Sequence, residues 1–349
     1  MGRRVDTTVI VPKRGEIHHT KGLRTRNYRI IQTAPTGKSP YKIIQGQLGF
    51  MTSMIPYIED SSILHLFEPF HLGGGVLVTK LLTNSKFILT LIGSTTYDPY
   101  TTTHKRFAKY MKYIMKYADV VTASTEELAQ RGHEQGYEGE IEIIPHCVET
   151  KRFSPVSKGE KEHLRKKLGW GSEDQIVLAI QRLHPRKRTS QLILSAEKVL
   201  ATDPNVKFII GGKGREMEKL QQLVQHLDIE DSVKLVGYVP DRLLPEYYAA
   251  ADLFAFHTLY EGFGIVVIEA MSSGLPVVTT NVGGLSDIVE RNQAGRVVEP
   301  NNPTMMAEAI LETLDRKKNH MLSKNARDAA IQKYSIEKVC NQYQKLYEI

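Results

Sequence analysis

Residues 260–284 read YEGFGIVVIEAMSSGLPVVTTNVGG. Two carboxylates, Glu261 and Glu269, stand on either side of a turn built from Gly262, Phe263 and Gly264. The run from Ile265 to Met271 predicts an apolar helix, and Pro276 to Thr280 a β-branched strand followed by the pair Gly283-Gly284. A helix that opens on such a turn points its unpaired peptide N–H groups outward, where an anion is favoured. The dipole contributes about 0.3–1 kcal/mol there, rising to about 2 kcal/mol when partly buried. Glu269 lies about one helical turn inside that end. A single carboxylate on an apolar helix is expensive unless it accepts hydrogen bonds. The layout suits a sugar nucleotide: phosphate at the helix end, ribose on Glu269 and sugar hydroxyls on Glu261. A capped or salt-bridged structural glutamate is the plain alternative for Glu269.

Upstream, the chain alternates apolar strands with amphipathic helices at short spacing. Strands are predicted at 175–180, 206–210, 233–236, 252–256 and 276–280, with helices at 189–200, 216–227, 243–250 and 265–271. Continuous apolar strands between helices imply a parallel sheet covered on both faces. The ligand crevice of such a doubly wound sheet lies beyond the strands' carboxyl ends. The first strand ends in QRLHPRKR, which places Arg182 and Lys187 over that crevice. Arginine offers a planar fork and lysine a mobile point charge for phosphate oxygens. Taken alone, these are equally surface cations at a helix start. The second strand ends in GGKGRE; Met217 occupies the place of the third glycine of a dinucleotide fingerprint, so this is a tight turn only.

The first half is less regular, with strands predicted at 7–11, 28–33, 63–67, 87–92, 119–123 and 141–144. The polar stretch 148–162, VETKRFSPVSKGEKE, predicts a linker, and 303–314 and 335–347 carry helical apolar spacing. The expected division is an N-terminal domain over 1–153, a second over 154–334 and a final helix over 335–349 that packs back across the domains. A chain of 349 residues is long for one core, which agrees with two domains.

Composition is that of a water-soluble globular protein, 41% hydrophobic and 24% charged. No apolar run approaches the roughly 18–20 residues of a membrane span. The opening MGRRVDTTVIVP lacks a signal-peptide pattern, and Cys147 and Cys340 are too few for a disulfide framework. A cytoplasmic location with reduced thiols is therefore expected. The chain carries a net charge of +7, and its first fifty residues hold ten basic against two acidic residues. Such a basic region can attract nucleic acid, anionic lipid or a phosphorylated substrate. No nucleic-acid motif or aromatic stacking platform accompanies it, so a nucleic-acid partner is not expected. HKRFAKYMKYIMKY, residues 104–117, places Lys105, Lys109, Lys112 and Lys116 on one helical stripe. That stripe is a candidate peripheral contact with the inner face of an anionic membrane; a helix with its apolar side on a sheet and its lysines in water is the alternative.

Glu261 and Glu269 in E-x7-E spacing, with Arg182 and Lys187, resemble family 4 of the retaining glycosyltransferases. ADVVTASTEELAQ from Ala118 and EIIPHCVETKRFSP from Glu142 resemble two further blocks of that family. The resemblance runs from about Ile63 to the C-terminus. It implies the GT-B fold, two Rossmann-like doubly wound domains facing each other across a cleft. It implies a hexosyltransferase that moves sugar, with retention, from a nucleoside-diphosphate sugar to a glycan or lipid-linked acceptor in glycan biosynthesis. No cofactor or metal is implied, and no Asp-x-Asp clamp is present. By the same resemblance Arg182, Lys187 and Glu261 are catalytic: the cations neutralise the leaving diphosphate and Glu261 bonds a sugar hydroxyl. Gly262, Phe263, Gly264 and Ile265 line the donor site, and Glu269 holds the ribose.

Three departures accompany the resemblance. DTTVIVP is similar to the family's second strand, so the N-terminus is expected to lack the opening strand and its glycine turn. Ile92 occupies the position of the acceptor-side histidine, and Pro145-His146-Cys147 replaces Pro-Asn-Gly. His65, His71 and His146 are candidate substitutes for that histidine. These departures favour a second reading, a non-catalytic GT-B protein that binds sugar nucleotide or supports a partner glycosyltransferase.

Overall fold

A computed structural model describes residues 7–12, 28–33, 52, 63–67, 73–93 and 104–348. The chain divides into two compact units, residues 1–143 and 144–349. In the first, β1 (Thr7–Pro12) and β2 (Tyr28–Thr33) form a parallel pair. A separate four-stranded parallel sheet has the order β3 (Ile63–Phe67), β4 (Lys86–Leu91), β5 (Val120–Ala123), β6 (Ile141–Ile143). Its connections are α1 (Gly73–Leu82), α2 (His104–Tyr117) and α3 (Glu126–Glu134). Thr125 caps α3 by accepting from the Leu128 amide at 3.2 Å, as the Ser-Thr-Glu-Glu sequence favours. Met111, Ile114 and Met115 of α2 are buried, while Lys112 and Lys116 are exposed. Gly132 of α3 is required by packing: a Cβ there would lie 2.8 Å from Ile141 Cδ1 and 3.2 Å from Leu91 Cδ1.

The second unit holds a six-stranded parallel sheet. Its strands are β7 (Gln175–Ile180), β8 (Val206–Gly211), β9 (Val233–Gly237), β10 (Leu253–Phe256), β11 (Val277–Thr280) and β12 (Gly295–Val298). The order across the sheet is β12-β11-β10-β7-β8-β9. That is the doubly wound order with its reversal between β7 and β10, where a crevice opens at the carboxyl ends.

Alternation along the strands fills both faces. Ile176, Leu178, Phe254 and Phe256 enter one core, with Val267, Ile268 and Met271 of α8 (Ile265–Ser272). Val177, Ala179, Leu253 and Ala255 enter the other, with Leu192 and Ile193 of α5 (Thr189–Thr202) and Met306 and Ile310 of α10 (Pro303–Leu314). The stretch 148–162 is part of this unit: Val148 and Phe153 are buried in its core. α4 (Lys158–Leu168) begins inside the same stretch, capped by Ser157, which accepts from the Glu160 amide at 3.3 Å. α6 (Met217–His226), α7 (Leu244–Ala250), α9 (Leu285–Val289), α11 (Arg316–Lys333) and α12 (Ile336–Glu348) complete the helices named here. Cys147 and Cys340 are free thiols.

Candidate functional site

The site grows from the carboxyl ends of β7, β8, β10 and β11. Past β7 the chain stays bonded to the loop after β8: Gln181 N–H donates to Gly211 O at 3.0 Å and Leu183 N–H to Lys213 O at 3.0 Å. The glycines of GGKG serve this approach. A Cβ on Gly212 would lie 1.8 Å from Gln181 O, and one on Gly214 2.0 Å from Leu183 O. A 3-10 turn, Pro185–Lys187, follows, capped by His184 Nδ1 accepting from Arg186 N–H at 3.3 Å. Arg186 O in turn accepts from the Leu259 amide at 2.8 Å, which ties the turn to the loop after β10.

This lock delivers Lys187 to Glu261. Lys187 Nζ donates to Glu261 Oε2 at 2.6 Å and sits 4.8 Å from the centre of the Phe256 ring. Glu261 Oε1 accepts from the Gly262 amide at 3.0 Å. The loop after β11 presses on the same turn. Gly283, at φ +60°, has no room for a Cβ, which would lie 1.9 Å from Glu261 O. Gly264 takes φ +93° as the residue before α8, and no side chain among the described residues caps that helix. Its first peptide groups are therefore open to a ligand, beside Ile265, which is 47% exposed.

Glu269 is held from inside. Tyr248 OH donates to Glu269 Oε2 at 2.9 Å, and the Tyr248 ring is fully buried against Phe153 and Phe254. Burial pushes the Glu269 carboxyl up to about 7, against the opposing pull of the Tyr248 bond. Arg182 is exposed and makes no side-chain hydrogen bond or ion pair among the described residues. The structure thus brings Lys187 and Glu261 into contact, with Gly262, Phe263, Gly264 and Ile265 in the adjoining turn and Glu269 deeper on α8. Arg182 follows the end of β7, without a side-chain partner among the described residues.

The histidine candidates separate. His65 belongs to the first unit, where its Nε2 lies 2.7 Å from Thr90 Oγ1 and its ring stacks on Phe67 at 4.2 Å. Burial brings its pKa down to about 4. His71 lies outside the described residues. His146 belongs to the second unit, edge-on to Phe263 with ring centres 5.0 Å apart. Tyr248 is the member that sequence reasoning misses, because its pairing with Glu269 arises only in the fold. Among the described residues no group of three His, Cys, Asp or Glu is arranged to hold a metal ion.

Residues 160–329 match the family described as glycosyl transferases group 1. An uncharacterized glycosyltransferase of Methanocaldococcus jannaschii is 30% identical over 214 residues, 61% of this chain and 55% of that protein. A GDP-mannose-dependent monoacylated α-(1-6)-phosphatidylinositol monomannoside mannosyltransferase of Corynebacterium glutamicum is 33% identical over 182 residues, 50% of this chain and 47% of its own. The solved sucrose-phosphate synthase of Thermosynechococcus elongatus superposes with a TM-score of 0.77 and 25% identity, over 92% of this chain and 83% of that one. With two parallel-sheet α/β units, the chain has the GT-B fold. It spans 55%, 61% and 47% of three curated relatives that it matches.

Proposed function

We propose, from the match of residues 160–329 to the family described as glycosyl transferases group 1, that this chain is a glycosyltransferase using a nucleoside-diphosphate sugar. Within that reading it moves a hexose-type sugar, with retention and without a metal, to a glycan or lipid-linked acceptor. The donor occupies residues of the 154–334 stretch, and 1–153 takes the acceptor. The observation that carries the reading is the convergence of Lys187, Glu261 and the uncapped start of α8 at the β7–β10 reversal. Lysine has three N–H donors, so Lys187 can keep its bond to Glu261 and still meet a phosphate oxygen. Arg182, with no side-chain partner among the described residues, supplies the second cation. As the glycosidic bond breaks, charge moves onto the diphosphate, and preorganised donors lower that barrier most. Glu261 then presents its carboxylate to a sugar hydroxyl, and Glu269 accepts from the ribose. Retention and metal independence rest on the E-x7-E resemblance together with this cationic, helix-ended phosphate site.

A screen of nucleoside-diphosphate sugars by thermal unfolding tests the donor. A true donor at one hundred times its Kd stabilises by about 2.7 kcal/mol. For a domain of this size that raises Tm by about 5–10 °C. Absence of a shift with every nucleotide sugar would remove the proposal. Ile92, in place of the acceptor-side histidine, keeps the second reading in view: binding without hydrolysis or transfer of any donor would establish the non-catalytic protein.

Peripheral membrane contact is a further part of the proposal. Val78 and, one helical turn on, Leu81 and Leu82 of α1 are exposed, and Tyr113 of α2 is exposed beside Lys112 and Lys116. The two helices are neighbours: Tyr110 OH accepts from the Gly74 amide at 2.8 Å, and Lys80 pairs with Asp119 just past α2. Apolar and cationic groups together suit an anionic interface. Changing Lys105, Lys109, Lys112 and Lys116 to Gln should reduce co-sedimentation with phosphatidylserine liposomes, by about 1 kcal/mol per lysine at the surface. Wild-type protein that stays in the supernatant at low salt would dismiss the membrane contact. No helix among the described residues is long and apolar enough to cross a membrane.

A further inference from the structure

We propose that His146 is a sugar-recognition residue, which hydrogen-bonds the sugar part of the donor beside Glu261. The inference rests on the donor-site reading above and names a contact that the motif residues do not supply. The segment that carries His146 is fixed. Val148 N–H donates to Tyr334 O at 2.8 Å, and Val148 bridges to Ser335. Phe153 then enters the core. From this anchored backbone the imidazole meets Phe263 edge-on, ring centres 5.0 Å apart at 76°. Tyr334 meets Phe263 in the same way, at 6.0 Å and 78°. Phe263 is therefore clamped between two rings, and it belongs to the turn that carries Glu261 and opens α8.

A ring that served only as a wedge for Phe263 would have no use for its nitrogens. His146 is half-buried, yet among the described residues it makes no side-chain hydrogen bond. A half-buried imidazole whose nitrogens make no protein hydrogen bond among the described residues can take a bound hydroxyl as its partner. Burial lowers the His146 pKa, and the Glu261 charge opposes that shift, which places the two groups in one electrostatic neighbourhood. Near neutral pH the ring then offers one N–H donor and one acceptor nitrogen. That pair suits a sugar hydroxyl, which itself both donates and accepts, better than it suits a phosphate, whose ionised oxygens only accept.

The position predicts a selective effect. His146→Phe keeps an aromatic ring against Phe263 and removes both nitrogens; His146→Gln restores a donor and an acceptor without the ring. Calorimetry with UDP against UDP-N-acetylglucosamine, and GDP against GDP-mannose, measures the sugar contribution. In the pair that the wild type binds, His146→Phe should weaken the nucleotide sugar about tenfold, the worth of one lost hydrogen bond near 1.4 kcal/mol. The free diphosphate should bind within about twofold of wild type, since the phosphate contacts are retained. His146→Gln should recover part of the sugar preference. Equal weakening of both ligands with a lowered Tm would make His146 a packing residue and overturn the inference. An unchanged sugar preference in His146→Phe would overturn it as well, leaving the donor site intact. Wild-type protein that binds neither ligand of either pair would remove the donor-site reading, and this contact with it.

Discussion

Arg182→Ala and Lys187→Ala should each lower kcat for sugar transfer at least tenfold, and by about 10²–10³ if the cation acts mainly in the transition state. Both residues follow β7, and in the proposed mechanism both act on a leaving group that gains charge as the sugar departs. Their structural settings differ, and so do the controls. Arg182 is exposed without a side-chain partner among the described residues, so its removal should leave Tm unchanged. Lys187 neutralises Glu261 at 2.6 Å, with only 22% and 20% of the two side chains exposed. Lys187→Ala leaves that carboxylate without its cation, and stability should fall by about 1–3 kcal/mol, between the exposed and buried cases. The kinetic effect must therefore be read on protein that is folded at the assay temperature. Wild-type turnover in both variants would discard the phosphate role; wild-type turnover in Arg182→Ala alone would assign the leaving group to Lys187 and α8.

Much of this arrangement is visible in the chain before it folds, and the reasons are specific. Residues 176–180 are an unbroken apolar run and Val277–Thr280 an unbroken β-branched one, and both strands are buried on both faces. The same burial leaves Glu269 conspicuous on α8. β12 has no such signal: Arg296 interrupts it, and in the fold that side chain turns outward to Glu312 at 2.9 Å. α11 is hidden for another reason. It packs through small residues, Ala326, Ala329 and Ala330, which give a weak helical stripe among lysines and asparagines. Partnerships are the least legible layer. Nothing local announces that Lys187 meets Glu261, that Tyr248 meets Glu269, or that His146 leans on Phe263. Each joins segments that only the parallel crossovers bring together, and Gly283 makes sense only once the Glu261 carbonyl is found where its Cβ would be.

Glu269 carries the second large expectation. Replacing it should weaken nucleotide binding, and the binding it supports should depend on pH. Glu269→Ala is a blunt test, because it strips the buried Tyr248 hydroxyl of its good acceptor and leaves, among the described residues, only Val266 O at 3.4 Å. An unpaired buried hydroxyl costs about 1–3 kcal/mol of stability. Glu269→Gln keeps an acceptor for Tyr248 and removes the charge, so it isolates the ribose contact. The folded carboxyl is raised from 4.5 to about 7, chiefly by burial. Its protonated form therefore adds stability to the free protein below pH 4.5, and that stability is lost as pH rises through about 7. Binding follows the opposite course. A ribose diol donates two hydrogen bonds best to an ionised carboxylate, so a nucleotide should expel the proton. Affinity should rise about tenfold between about pH 6 and 8, with close to half a proton released at neutral pH, as linkage requires for one such group. Calorimetry in buffers of different ionisation enthalpy measures that release. Because a terminal phosphate titrates in the same range, the decisive quantity is the difference between wild type and Glu269→Gln. A wild-type proton release equal to that of Glu269→Gln, or equal affinity of the two proteins at pH 8, would take the ribose away from Glu269. Glu261→Ala should separate cleanly from it: free nucleoside diphosphate still binds, while sugar transfer falls, since its proposed contact lies on the sugar.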